Sequence, residues 1–236
     1  MYFVTCTLPQ WFLGFQIIFQ LLFAGVTFFI GYYAYRLYRV ARQQSLGFFS
    51  LAFAGISLGY LVQTIFNVFF WGGLKTQHIF NSFSQTISSS TQISVFVVLF
   101  HMLAMITGLV MLAFVTLRRK DLFLFSFLLT MTLVTLMVAH HIHHAFFIIT
   151  GLLLLFITLQ HLTRYTRKPS RVSLYVTLGF SLLFLGQLGL GLSSFTSALY
   201  VWGHVVTFVG YLFLFWSVFE GIKYRGVLES QKKGED

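Results

Sequence analysis

The sequence predicts an all-α polytopic membrane protein, a seven-transmembrane-helix bundle with its N-terminus outside and its C-terminus cytoplasmic. Three observations carry this. The first is composition: 58% of the 236 residues are apolar and only 8% are charged, with a mean hydropathy of +0.85. A soluble domain carries about 25% charged residues, so this chain has too little polar surface to cover itself in water, and its solvent is lipid. The second is length: seven apolar stretches each approach or exceed the roughly 20 residues that span a bilayer core of about 30 Å. The third is the placement of the basic residues, which gather in every second connection as the positive-inside rule requires.

The stretches are 11–38, 46–72, 92–117, 121–140, 143–164, 172–194 and 198–222. The first is too long for a signal peptide and is followed by a stop-transfer flank, "YRLYRVAR", with Arg36, Arg39 and Arg42. The second leads outward to a polar loop, 74–91, rich in Ser and Thr and containing His78. The third returns to Arg118, Arg119 and Lys120, and the fourth ends outside at His140 and His141. The fifth comes back to Arg164, Arg167 and Lys168, where "RKPSR" turns into the sixth. The seventh ends at Lys223 and Arg225, before a tail that also holds Lys232 and Lys233. Residues 1–226 thus form one membrane domain, and 227–236 a short polar cytoplasmic tail. The expected location is the plasma or cytoplasmic membrane.

The formal net charge of +10 does not indicate nucleic acid, because its carriers sit in short clusters at helix ends, where anionic lipid headgroups meet them. Cys6 is the lone cysteine, so neither an internal disulfide nor a cysteine metal cluster is possible.

The candidate chemistry is imidazole. "VAHHIHHAFF" (138–147) holds four histidines, and two segments align through it without a gap: "FHMLAMITGLVML" (100–112) and "HHAFFIITGLLLL" (143–155). His101 falls on His144 and Gly108 on Gly151. "GHVVTFVGYLFL" (203–214) repeats the pattern, one residue shorter, with His204 and Gly210. Each of these histidines lies roughly 17–20 residues from the next basic cluster, or about 25–30 Å at 1.5 Å per residue. His101, His144 and His204 therefore share one depth in the outer half of the membrane, with His140 and His141 at its boundary.

Neutral histidine ligates haem iron, copper and zinc. Two opposing imidazoles with small residues beside them suit a b-type haem, which His101, His144, His204, Gly108, Gly151 and Gly210 would supply. A His-ligated Zn or Cu site drawing on the same histidines with His140 and His141 is a second geometry. A third reading binds no cofactor and treats the histidines as partners in helix packing. The segment "LGQLGLGLSS…ALYVWGHVVTFVGYLFLF" (185–215) resembles the helix pair of haem A synthases, in which a Gln-x-x-Leu-Gly-like stretch precedes a ligand histidine. That resemblance implies a haem-ligand role for His204. The chain departs from the family in having seven helices instead of eight, and no carboxylate accompanies its outer histidines.

Several function classes are disfavoured. All five acids, Asp121, Glu220, Glu229, Glu235 and Asp236, belong to the cytoplasmic side, so no carboxylate base reaches the histidines as a zinc hydrolase requires. No lysine lies mid-membrane for a retinal Schiff base, and no acid is placed for a proton relay. Gln16, Gln20, Gln63, Asn67 and Gln187 are polar groups in apolar helices, expected to bond between helices or to contact a quinone or haem propionate. Two functions follow as expectations. One is a small membrane cytochrome passing electrons between a quinone pool and a redox partner protein. The other is a non-redox sensory, ligand-binding or complex-assembly protein.

Overall fold

The computed structural model describes residues 12–75, 87–117, 122–139 and 142–233. Cys6, His78, Arg118, Arg119, Lys120, His140 and His141 lie outside these residues. Among the described residues the chain forms seven α-helices: α1 (Phe12–Ala41), α2 (Gln44–Lys75), α3 (Ile87–Leu117), α4 (Leu122–Val138), α5 (Ile142–Arg167), α6 (Arg171–Gly191) and α7 (Ser197–Lys233). All seven fall on the apolar stretches expected from the sequence. Six are long and apolar enough to cross a membrane, and α4 is a shorter apolar helix. This is an integral membrane protein whose apolar helices contact lipid. The helix α7 continues through the start of the expected tail as far as Lys233, since "VLESQKK" contains good helix formers and no Gly or Pro. Likewise α3 begins at Ile87, inside the expected polar loop.

Local chemistry sets the helix ends. Arg42 takes the left-handed conformation (φ 49°), and its N–H donates to the Tyr38 carbonyl at 2.7 Å, closing the last turn of α1. Pro169 cannot continue α5. Beside it, Ser170 caps α6 by accepting from the Ser173 N–H at 3.1 Å.

Six helices close a ring in the order α1, α2, α3, α5, α6, α7 and back to α1, each packed on the next. The helix α4 stands outside the ring, against α3 and α5 only. The ring is two copies of one three-helix unit. A single constant offset, without a gap, carries Phe23, Ala24, Thr27, Ile30 and Gly31 of α1 onto Thr150, Gly151, Leu154, Ile157 and Thr158 of α5, every one of them buried. The same offset carries Ser50, Ala52, Phe53, Ile56, Gly59 and Tyr60 of α2 onto Thr177, Gly179, Phe180, Leu183, Gly186 and Gln187 of α6, again all buried. A second register carries Met102, Met105, Gly108, Leu109 and Leu112 of α3 onto His204, Thr207, Gly210, Tyr211 and Leu214 of α7.

Both units run in the same direction, and α4 explains how. Three antiparallel helices leave the chain at the opposite end of the bundle, and α4 returns it before the unit repeats in parallel. The result is a pseudo-twofold axis along the helices. Two seams join the units, α1 against α7 and α3 against α5. Within each unit, side chains tie helix to helix. Ser50 donates to the Gly31 carbonyl and Ser57 to the Ala24 carbonyl, both at 2.8 Å. Asn67 donates to Gln20 at 2.8 Å, and Gln187 to the Thr150 hydroxyl at 2.6 Å. Polar groups in hydrocarbon find such partners because the alternative is an unmet polar atom.

Candidate functional site on the bundle axis

The structure places the candidate histidines in three different settings. His204 is buried, 6% exposed, in an aromatic nest. Its ring centroid lies 4.5 Å from Tyr200, 5.6 Å from Phe12, 6.1 Å from Phe19 and 6.2 Å from Phe23. Its Nδ1 pairs with the Tyr200 carbonyl of its own helix at 3.0 Å. His101 is half-buried, 5.2 Å from Tyr60 and 6.3 Å from Phe146, and its buried Nδ1 lies beside Gly59 without a hydrogen-bond partner. His144 is exposed, as is its neighbour His143.

The three do not converge. Phe23 stands between His101 and His204, touching His204 on one side and Tyr60 on the other (5.3 Å), and Tyr60 in turn touches His101. Among the described residues no group of three or more His, Cys, Asp or Glu side chains is arranged to hold a metal ion. The candidate glycines also separate. A Cβ on Gly108 would meet Ile56 Cγ1 at 2.5 Å and the Ala52 carbonyl at 2.9 Å, and one on Gly210 would meet the Gly179 carbonyl and Leu183 N at 3.0 Å. These two glycines are filled by the neighbouring helix of their own unit. At Gly151 a Cβ would meet nothing within 4 Å. This arrangement does not fit a porphyrin held between His101, His144 and His204 and lying on those glycines.

What the fold does converge is a polar group on the axis. A cavity of about 20 Å³ lies there, walled by five repeat-related pairs, Phe53 and Phe180, Ile56 and Leu183, Tyr60 and Gln187, Met105 and Thr207, Leu109 and Tyr211, together with Leu112 and Leu154. The shape is symmetric but the chemistry is not. Three of the four polar side chains, Gln187, Thr207 and Tyr211, come from the second unit, where the first offers only Tyr60. The Tyr60 and Tyr211 hydroxyls meet at 3.3 Å. Gln187 is fixed by Thr150, whose hydroxyl donates onward to the Phe146 carbonyl at 2.7 Å. The Thr207 hydroxyl is buried with no hydrogen-bond partner.

Of these residues the sequence had singled out only Gln187. Tyr60, Thr207 and Tyr211 read as ordinary members of apolar helices until the ring is closed. Comparison with known proteins gives no match: no family model, no curated protein and no solved structure matches the chain.

Proposed function

We propose that the chain is a non-redox, ligand-binding membrane protein whose ligand is a small uncharged polar molecule held on the bundle axis. Thr207 carries this reading. An unmet buried hydroxyl costs on the order of 1–3 kcal/mol; that of Thr207 lies against Gly186, and the residue lines a cavity that also presents two tyrosines and a glutamine. A cavity of about 20 Å³ takes only a water-sized part of such a molecule, for which roughly 10–15 Å³ suffices, so the rest of the ligand must widen it. No charged side chain lines it, so a charged guest would lack compensation.

The test is thermal unfolding of the purified full chain in detergent with acetamide, ethylene glycol or glycerol, comparing wild type with Gln187→Leu and Thr207→Val. The expected result is stabilisation of the wild type alone by at least one of these solutes. Indistinguishable shifts in all three proteins would overturn the reading. A b-type haem with quinone or redox-protein partners would need His101 and His204 to leave the packing described above, and an absorption spectrum decides between the two readings.

The orientation we propose, N-terminus outside and C-terminus in the cytoplasm, rests on the basic clusters at alternate connections. A Ser230→Cys protein in a Cys6→Ser background is expected to react with an impermeant thiol reagent in inverted vesicles and to be silent in right-side-out ones. The opposite pattern would reverse the topology.

A further inference from the structure

We propose that the two three-helix units are the moving halves of a carrier, and that the axial cavity is the point at which its solute is enclosed between them. This inference rests on the ligand-site reading above and adds transport to it.

The argument begins with where the site lies. Parallel repeats related by an axis along the membrane normal can rock against each other about a site between them, opening it to one side and then the other. The cavity sits between the units and takes most of its wall in repeat-related pairs, as in Phe53 with Phe180 and Ile56 with Leu183, with Leu112 and Leu154 outside that pairing. Most of the buried hydrogen bonds between helices lie inside the units, while the Tyr60 and Tyr211 hydroxyls, 3.3 Å apart, join one unit to the other beside the cavity. Inside, buried hydrogen bonds join α1 to α2 and α5 to α6, and glycine brings α6 and α7 backbones into close approach at Gly179 and Gly210. Those contacts are directional and short, and they hold α1 to α2, α5 to α6 and α6 to α7. Across both seams, at the end of the bundle away from Arg36, Arg39, Arg164 and Arg167, ring meets ring: His204 with Phe19, and His101 with Phe146. Tilted ring contacts keep much of their attraction as they slide. At the other end of the α3/α5 seam, the Arg164 guanidinium donates to the Thr116 carbonyl. Together these suggest a hinge near the arginines on that seam and separation at the histidine end.

The lining sets the solute class. Tyr60, Gln187, Thr207 and Tyr211 offer hydroxyl and amide groups without a formal charge, which favours a neutral solute with both donors and acceptors, such as a short polyol or a simple amide. In the closed arrangement only a water-sized part of it is accommodated, so passage requires the units to part.

The experiment reconstitutes the full chain into liposomes and follows their swelling by light scattering in gradients of acetamide, ethylene glycol and glycerol. Expected is solute entry above that of protein-free liposomes, lost in Gln187→Leu. In a Cys6→Ser background, Phe19→Cys with His204→Cys should cross-link the α1/α7 seam under oxidation, stop entry, and recover it on reduction. Gln187→Leu leaves both seams intact and tests the proposal if the double-cysteine protein does not fold. Wild-type stabilisation by a solute without any entry of it would overturn the carrier while leaving the ligand site standing. No stabilisation and no entry would overturn both. Entry that continues through the oxidised seam would overturn the rocking of the two units.

Discussion

Phe19 and His204 face each other across the α1/α7 seam with ring centroids 6.1 Å apart and planes tilted by 53°, and Phe146, the repeat mate of Phe19, meets His101 across α3/α5 at 6.3 Å and 54°. The same relationship is made twice, once at each junction between the two units. Both histidines are seam residues packed on a phenylalanine, although the α3/α7 register pairs His204 with Met102 and sets His101 one position away.

Seam packing makes His204 replaceable by shape. Its one fixed polar contact is with Tyr200 of its own helix, worth on the order of 0.5–1.5 kcal/mol, while its ring fills the space between Phe12, Phe19 and Phe23. His204→Leu is therefore expected to cost about 1 kcal/mol, and His204→Ala about 2–4 kcal/mol through the cavity it leaves. Unfolding by denaturant in detergent measures both. Equal losses in the two variants would show that imidazole chemistry, and not volume, holds the site.

The glycines give a sharper split. Gly108 and Gly210 touch the next helix, and an added methyl there overlaps Ile56 or Leu183 and a backbone carbonyl. Gly108→Ala and Gly210→Ala are expected to destabilise by about 1–3 kcal/mol. Gly151→Ala meets open space and is expected to be neutral, or stabilising by up to about 1 kcal/mol from helix propensity. If all three behaved alike, the glycines would share a role that these helix contacts do not give them.

Purified protein is expected to show no Soret band and no change in visible absorption on reduction with dithionite. A haem spectrum that vanished in a His101→Leu/His204→Leu double variant would restore the cytochrome reading and require a bundle packed differently from this one.

The helices were legible because length, apolarity and basic flanks each carry an independent signal of a membrane span. The pairing of the helices was not. Aligning His101 with His144 sets α3 against α5, but the burial pattern gives α3 the partner α7 and gives α5 the partner α1. The identities that mark the true repeat are scattered, for example Phe19 with Phe146, Ile30 with Ile157, Phe53 with Phe180 and Gly59 with Gly186. In lipid the outward face is as apolar as the inward one, so a sequence of Phe, Leu and Ile carries little record of which residues point to the axis. Phe23 and Phe28 read alike, yet one is buried and the other exposed. Polar residues escape that loss, which is why Gln187 was visible from the sequence. Tyr60 and Tyr211 were not, because tyrosine in a membrane helix reads first as an interfacial anchor.

The hydroxyl pair at the centre yields the last prediction. Tyr60 and Tyr211 are 8% and 3% exposed and share one hydrogen bond at 3.3 Å between the two units. Removing one hydroxyl leaves the other buried without that partner, a cost of about 1–3 kcal/mol. Removing both leaves two phenyl rings of nearly the same shape, which is close to neutral. Tyr60→Phe and Tyr211→Phe should each lower stability, and the double variant should lie closer to wild type than either. The sign of this coupling is read from a double-mutant cycle on unfolding in detergent. Strict additivity would mean that the two hydroxyls do not depend on each other. A guest on the axis changes the outcome in a recognisable way: with a stabilising solute present, the solute would hydrogen-bond the orphaned hydroxyl and shrink the penalty of each single variant. The double variant, with neither hydroxyl left to offer, would gain least from the same solute.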